Sequence, residues 1–172
     1  MNLENKFLKK EKLKNFFMQN SISLCIVAII FLLDRYSKIK IISHQENNPS
    51  IFINDYLNFE LVWNNGIGFG LLNFNASYIY HLISLFIFFI IIIILIMIIK
   101  ADFLNKIYLS TLLGGATGNF YDRLYYFSVP DFIDFHLNNY HWFTFNIADI
   151  FITIGIMLLI INEIITGKNE KN

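Results

Sequence analysis

Four long apolar stretches constrain the fold of this 172-residue chain more than any other feature of its sequence. A helix needs roughly 20 apolar residues to cross the hydrocarbon core of a bilayer, which is about 30 Å thick. Stretches of that length occupy approximately residues 17–39, 76–100, 104–125 and 146–166. Only 15% of the residues are charged, against about 25% in soluble domains. The sequence therefore predicts an all-α membrane protein in which residues 1–172 form a single domain with four transmembrane helices.

Overall charge and cysteine content exclude several function classes. The 13 basic and 13 acidic residues balance, so the chain lacks the basic excess that recruits nucleic acid, and we expect no nucleic-acid partner. The single cysteine, Cys25, excludes an internal disulfide and argues against a zinc–thiolate site. Because Cys25 lies inside the first apolar stretch, we expect it to be a small buried hydrophobic residue.

The distribution of lysines predicts the orientation in the membrane. Five lysines lie between residues 6 and 14, two more (Lys100 and Lys106) flank the link between the second and third stretches, and the C-terminal tail carries Lys168 and Lys171. Residues 44–75 contain no lysine or arginine. By the positive-inside rule, both termini face the cytoplasm and both long connections lie on the outer side.

The first outer connection, residues 44–75, has the composition of strands rather than helices. Two short runs, Ile51–Ile53 and Phe59–Trp63, are rich in β-branched and aromatic residues and are separated by Asn-containing turn sequences. We expect a small β-sheet here, resting on the membrane surface.

Ionisable side chains inside the apolar stretches require an explanation, because each one costs at least ~2.5 kcal/mol at membrane depth. Asp34 and Lys38 are four residues apart on one helix face and predict an ion pair, whose alternative reading is an interfacial pair that ends the first helix. Gly114 and Gly118 form a small-xxx-small pattern that allows helices to approach closely.

Two acids stand at the same outer rim, on opposite sides of the second outer connection: Asp131 follows the third stretch and Asp149 begins the fourth. Two carboxylates close together in a low dielectric do not both ionise easily, so one keeps its proton while the other is a base. An aspartyl protease uses such a pair. A proton-coupled carrier or channel with Asp149 as its relay, and a non-catalytic assembly factor, remain as alternatives. The polar cluster stops near one face of the membrane, which favours hydrolysis at that surface.

Five short motifs occur along the chain in a fixed order. They are Asp34 to Lys38 (D-x-x-x-K), Asn64 to Phe69 (N-x-G-x-x-F), Gly114 to Arg123 (G-G-A-x-G-N-x-x-D-R), Val129 to Phe132 (V-x-D-F) and Phe145 to Asp149 (F-N-x-A-D). With these motifs on four predicted spans, the chain resembles the lipoprotein signal peptidases (signal peptidase II) from residue 34 to about 155. One departure is Pro130, which fixes the backbone immediately before Asp131.

The resemblance implies a role for each matching residue. Asp131 and Asp149 would be the catalytic dyad, with Asp134 as the nearest competitor for a dyad role. Asp34 and Lys38 would be structural or substrate-positioning residues. The residues that would shape the site around the dyad are Asn64, Gly66, Asn119, Arg123, Asn146 and Ala148. We expect no metal or other cofactor, because an aspartyl dyad needs none and the four histidines lack H-E-x-x-H spacing.

The resemblance also implies the substrate and the location. The substrate would be a bacterial prolipoprotein whose lipobox ends in a diacylglyceryl-modified cysteine, cut just before that cysteine. The enzyme would be a monomer in the cell inner membrane, in contact with membrane lipid, with its active site near the outer face.

The predicted orientation can be tested with reporter fusions. Fusions after Lys106 and after Lys168 should report the cytoplasm, and fusions near Asn47 and Asn138 should report the outside, because the lysine-rich segments stay on the inner side. A cytoplasmic signal at Asn47 would contradict the four-span arrangement.

Overall fold

A computed structural model of the chain describes residues 3–45, 50–66, 77–138 and 140–169. Within these residues the chain forms four helices and one four-stranded antiparallel sheet. The helices are α1 (Leu3–Gln45), α2 (Ser77–Lys100), α3 (Phe103–Tyr125) and α4 (Ile147–Asn169). The strands are β1 (Ile51–Asn54), β2 (Leu57–Asn64), β3 (Val129–Leu137) and β4 (Tyr140–Phe145), which lie side by side in chain order.

Three of the described helical segments are long and apolar enough to cross a membrane: Phe7–Gln45, Tyr80–Lys100 and Ile147–Gly167. Helix α3 is equally long but more polar, and it packs against α1, α2 and α4. Its contacts with α2 include a core of Ile91, Ile94, Ile98, Leu109 and Leu113. A helix surrounded by protein can carry polar residues that a lipid-facing helix cannot. The mostly helical architecture predicted from the sequence is therefore confirmed.

Glycines allow α3 to approach α1 closely, as the small-xxx-small pattern predicted. A Cβ atom added to Gly114 would lie 2.7 Å from the Cβ of Ile30, and one added to Gly118 would lie 2.6 Å from Oδ2 of Asp34. Larger residues at these positions would push the helices apart. The close approach places the Asp34 carboxylate directly against the backbone of α3.

A second pair of glycines brings α3 and α4 together. A Cβ on Gly115 would clash with the backbone carbonyl of Ala148, and a Cβ on Gly155 would lie 2.7 Å from the backbone nitrogen of Leu112. Helix α3 thus has glycine contacts on two faces, one toward α1 and one toward α4, and it is the central helix of the bundle.

Helix α1 continues beyond the Asp34–Lys38 pair, so the alternative that this pair ends the helix is wrong. The extension buries Ile41 against the sheet. At its last residue, Gln45 donates from Nε2 to the carbonyl of Phe59 at 2.8 Å and accepts from the backbone N–H of Leu61 at 2.6 Å. These backbone groups lie where the pairing of β2 with β3 shifts register. The Gln45 side chain therefore satisfies groups that the irregular ladder leaves free.

Strands β1 and β2 confirm the sheet predicted in the first connection, although residues 46–49 and 67–76 of that region lie outside the described residues. The sheet is larger than the sequence analysis predicted, because it extends beyond residues 44–75. The second connection supplies β3 and β4, and β3 pairs with β2 through Asn64–Val129 and Val62–Asp131. A central strand is covered by neighbours on both sides, and residues 129–134 are all buried. The paired residues of β2 and β3 lie more than 60 positions apart in the sequence, so no local sequence pattern predicts this pairing.

The burial of two residues on the helices is not apparent from the sequence. Cys25 is exposed, not buried, because α1 buries Ser23 and Ile30 and a residue two positions from Ser23 points about 200° away from that face. Lys106 is buried, and its amine donates to the carbonyl of Ile98 at 2.7 Å. Its ammonium group therefore donates to carbonyl groups that lack a partner within the last turn of α2, and the side chain is not exposed to solvent.

Candidate active site

The Lys38 side chain is fully buried where α1 meets α3. Its ammonium group donates to Oδ2 of Asp34 at 2.8 Å, to Oδ1 of Asn119 at 2.9 Å and to Oδ2 of Asp122 at 2.6 Å. A lysine ammonium has three N–H donors, and each has an acceptor here. The predicted Asp34–Lys38 ion pair is confirmed as part of a larger cluster.

Arg35 adds a second cation to this cluster. Its guanidinium contacts Oδ1 of Asp122, lies 3.7 Å from Oδ2 of Asp34 and stacks 4.9 Å from the centroid of the Tyr121 ring. The two basic and two acidic side chains balance in formal charge. Sequence reasoning missed Arg35, although an arginine near the end of an apolar stretch signals a buried partner in the same way as Asp34 does.

The cluster extends into the first turn of α4. The free oxygen of Asp34, Oδ1, accepts from the backbone N–H of Ala148 at 3.0 Å, and Nδ2 of Asn119 donates to Oδ1 of Asp149 at 2.8 Å. The first N–H groups of a helix have no partner inside the helix, so a carboxylate there satisfies an otherwise unpaired donor. Asn119 bridges Lys38 and Asp149.

Asn146 joins the two acids predicted as the dyad. Its Oδ1 accepts from the N–H of Asp149, and Oδ2 of Asp149 accepts from the N–H of Asn146, both at 3.1 Å. These reciprocal bonds resemble a capping box, which explains why α4 begins here. The Asn146 side chain also donates from Nδ2 to Oδ1 of Asp131 at 2.6 Å. One fully buried asparagine therefore starts α4 and links both carboxylates.

Asp131 is held from the other side by the end of β2. Nδ2 of Asn64 donates to Oδ2 of Asp131 at 2.8 Å, while Oδ1 of Asn64 accepts from the N–H of Gly66 at 2.9 Å. The Gly66 carbonyl in turn accepts from Nη2 of Arg123 at 2.8 Å. A continuous set of hydrogen bonds thus runs from α3 through the loop after β2 to the carboxylate on β3.

Both carboxylates line one cavity of about 400 Å³. Polar side chains cluster at one part of its wall, and apolar side chains of the helices, together with Val129 on β3, form the rest. The polar members are Asn64, Asn119, Arg123, Asp131, Asp149 and Thr153, and the helices contribute Ile87, Ile90, Ile94, Leu112, Ala116, Ile152 and Ile156. The cavity lies between α2 and α4, with α3 also contributing to its wall.

The environment of Asp131 changes its acidity. Burial, followed by the neighbouring Asp149 carboxylate, raises the pKa of Asp131 from 3.8 to about 7, against the opposing effect of hydrogen bonds from Asn64 and Asn146. A carboxyl group with this pKa can carry a proton near neutral pH. The arrangement therefore allows one protonated and one ionised carboxyl group to face the same cavity.

The structure brings the sequence-predicted site residues into one region. Five line the cavity: Asn64, Asn119, Arg123, Asp131 and Asp149. The other five do not line the cavity but form hydrogen bonds in the network around it: Asp34, Lys38, Gly66, Asn146 and Ala148.

Asp134, the competitor for a dyad role, does not line this cavity. Its carboxylate instead contacts the ring of His141 at 2.8 Å. Residues three apart on a strand point to opposite faces, so β3 directs Asp131 and Asp134 in different directions.

The sequence and fold of the chain are similar to those of bacterial lipoprotein signal peptidases and a solved bacterial membrane enzyme. Residues 26–165 match the family described as Signal peptidase (SPase) II. The lipoprotein signal peptidase of Pelagibacter ubique (strain HTCC1062) is 44% identical over 170 residues, which cover 96% of this chain and 100% of that protein. The lipoprotein signal peptidase of Francisella tularensis subsp. novicida (strain U112) is 37% identical over 167 residues, which cover 95% of this chain and 99% of that protein. A solved bacterial membrane enzyme is similar with a TM-score of 0.71 and 32% identity, covering 87% of this chain and 91% of its own.

Replacing Lys38 with methionine should destabilise the protein strongly, because Asp34 and Asp122 would lose the ammonium group between them, which leaves Arg35 against two buried carboxylates. Breaking a buried ion pair in this way costs about 3–5 kcal/mol, which should appear as a large fall in the thermal unfolding temperature in detergent. The matched control is Lys40→Met, since Lys40 is exposed two residues further along α1. Unfolding of Lys38→Met within about 2 °C of wild type would contradict the argument.

Proposed function

The chain belongs to the signal peptidase II family, and from this premise we propose that it removes signal peptides from lipid-modified prolipoproteins by aspartyl catalysis with Asp131 and Asp149 as the dyad. One observation carries the proposal. Two carboxyl groups, joined through Asn146, face the polar part of an otherwise apolar cavity between helices. This is the environment in which two acids can share one proton.

We assign the resting proton to Asp131. Burial raises the pKa of Asp131 to about 7. Both carboxyl groups accept hydrogen bonds from asparagine side chains, and Asp149 in addition accepts from the backbone N–H of Asn146 at the start of a helix. The helix N-terminus favours a negative charge at that position. Asp149 would then take a proton from the attacking water while Asp131 donates one toward the scissile carbonyl oxygen. As the tetrahedral intermediate collapses, the proton on Asp149 passes to the leaving amine and Asp131 recovers its own.

The apolar cavity suits a substrate that arrives within the membrane. The signal peptide would pack against the isoleucines of α2 and α4, with its scissile bond at the polar part of the wall. A second apolar groove of about 530 Å³ lies on another side of Asp149 and includes Phe143, Phe145, Ile150 and Ile154. We assign this groove to an acyl chain of the diacylglyceryl group, because its lining combines apolar side chains with Asp149 of the dyad. Cleavage would occur before the lipidated cysteine.

We propose α3 as a fourth span beside the three that length and composition identify. It has 23 residues against 24 in α2 and returns after the short link at residues 101–102. We further propose that the chain is a monomeric inner-membrane protein in contact with lipid, with both termini in the cytoplasm. The sheet and the dyad would lie near the outer face, and the reaction would require no cofactor.

A proton-coupled carrier would need polar groups along a path through the membrane. In the part of the chain that the structure describes, Ile94, Leu112 and Ile156 form the cavity wall away from the carboxylates. The next side-chain hydrogen bond between described residues of α3 and α4, which Asn162 donates to Asn105, lies beyond that apolar wall, toward the other end of the bundle. The distribution of polar residues therefore favours hydrolysis over transport.

Asp131→Asn and Asp149→Asn should each abolish nearly all turnover while the protein still inserts and unfolds at a temperature close to that of wild type. An amide preserves the shape of the carboxyl group but can neither act as the base nor share the proton, and general acid–base catalysis contributes about 10²–10⁴-fold in rate. Turnover of a lipidated precursor by the purified variants measures the effect, with Asp55→Asn in the exposed β1–β2 turn as the matched control. Near-normal cleavage by either dyad variant would move the chemistry elsewhere, with Asp134 as the first suspect.

The rate should depend on pH with an optimum between two apparent pKa values that belong to the pair. As pH rises through about 7, Asp131 loses its proton, both carboxyl groups become ionised and the rate falls. At acid pH the base becomes protonated and the rate falls again. The profile of kcat against pH checks this expectation, and a rate that stays constant from about pH 7 to pH 9 would contradict the assigned proton.

The diacylglyceryl group should be required for efficient cleavage. A methylene is worth about 0.8 kcal/mol on transfer from water, but an acyl chain already in a bilayer gains much less, so the lipid should act mainly by fixing the depth of the scissile bond. We expect kcat/KM to fall at least about ten-fold, or ~1.4 kcal/mol, for the unlipidated precursor in the same detergent. Comparable values for the two precursors would reject lipoprotein specificity while leaving the aspartyl mechanism to be judged by the dyad variants.

A further inference from the structure

Away from the proposed catalytic site, the β3–β4 hairpin brings together Asp134, His136 and His141. One ligand atom from each lies within 4.8 Å of the other two. We propose that these three side chains bind a zinc ion, at a site separate from the dyad. The proposal does not depend on the proteolytic function.

The distances are close to those of zinc ligands. Oδ2 of Asp134 lies 2.8 Å from Nδ1 of His141 and 3.2 Å from Nδ1 of His136. Tetrahedral ligands at about 2.0–2.1 Å from zinc are separated by roughly 3.3 Å. Movements of a few tenths of an ångström would therefore bring each nitrogen to a zinc-ligand separation from the carboxylate, and the ligand atoms of the two histidines already lie within 4.8 Å of each other.

His136 provides an independent reason to infer a ligand. The residue is 7% exposed, and its buried Nδ1 atom, although 3.2 Å from Oδ2 of Asp134, makes no hydrogen bond of suitable geometry among the described residues. Leaving a buried polar atom unpaired costs about 1–3 kcal/mol. A metal ion bound at Nδ1 would use this lone pair, since the nitrogen already faces Asp134.

The hairpin holds the ligands in place through ordinary strand geometry. Asp134 and His136 are two residues apart and so share one face of β3, while His141 is the cross-strand partner of His136. Their rings lie 5.3 Å apart and only 28° from parallel. The side chain of His141 is 54% exposed, which leaves room for a water as the fourth ligand.

The ligand chemistry favours zinc among the divalent ions. Imidazole nitrogen suits zinc and its neighbours in the first transition series, whereas calcium and magnesium prefer oxygen ligands throughout. The expectation that no metal binds rested on two points: an aspartyl dyad needs no metal, and the histidines lack the H-E-x-x-H motif, which is a helical spacing. Here the spacing is D-x-H-x4-H on a hairpin, for which that motif is uninformative. The ion would link β3 to β4 on the face of β3 that is opposite to Asp131.

The test is zinc binding by the purified full-length chain in detergent, with its affinity tag removed and its metals stripped by a chelator. Titration calorimetry with Zn²⁺ should show one site, and Zn²⁺ should raise the thermal unfolding temperature because it binds only the folded hairpin. His136→Gln and His141→Ala should each weaken binding at least about ten-fold, the loss expected even for residues that merely support a ligand. His81→Ala is the matched control, since His81 is exposed on α2 and distant in sequence from the hairpin.

All measurements are repeated in a Cys25→Ser background, because the exposed thiol is itself a zinc ligand. His141→Ala changes a largely exposed side chain and carries the test if His136→Gln does not fold. No saturable binding by the wild-type chain would overturn the proposal. Binding that is unchanged in His141→Ala, or lost equally in His81→Ala, would overturn it as well.

Discussion

The buried ammonium group of Lys38 is the interaction on which the rest of the site depends. Removing such a charge from water costs several kcal/mol, which only well-placed partners can offset. Its three acceptors come from α1 and α3, and two of them continue toward α4: Asp34 accepts from the N–H of Ala148, and Asn119 donates to Asp149. The positions of three helix segments are thus coupled through one cation. The glycines of α3 are needed because they bring these helices close enough for the hydrogen bonds to form.

The sheet has a different role. It positions the carboxylate of Asp131, which lies outside the helices, next to the start of α4. An isolated two-stranded hairpin is marginally stable in water, whereas a sheet of three or more strands packed on a helix can hold its shape. Here the two connections pair through β2 and β3, and α1 packs its extended end against them. Asp131 is consequently held by Asn64 from one side and by Asn146 from the other. The same burial that fixes its position raises its pKa to about 7.

Strand geometry gives β3 two separate faces with separate chemistry. Asp131 faces the cavity between the helices, while Asp134 faces the histidines of the hairpin. We assign hydrolysis to the first face and metal binding to the second. The two acids would look equivalent in a sequence, since both stand between apolar residues in the run Pro130–Phe135. Only the alternation of side chains along the strand separates them.

The sequence by itself determined the helices, because the length of an apolar stretch and its lack of charge leave a chain in a membrane few alternatives. It also determined which polar residues needed partners, since a charge at membrane depth is too costly to be incidental. Only the tertiary structure decided which residues are the partners. Lys38 donates a hydrogen bond to Asp122, 84 residues away in the sequence, and Asp34 accepts one from Ala148, 114 residues away. The tertiary structure also decided that the second connection joins the sheet and that Cys25 is exposed. Contacts of this kind depend on which faces and edges meet after folding, and local sequence patterns do not encode them.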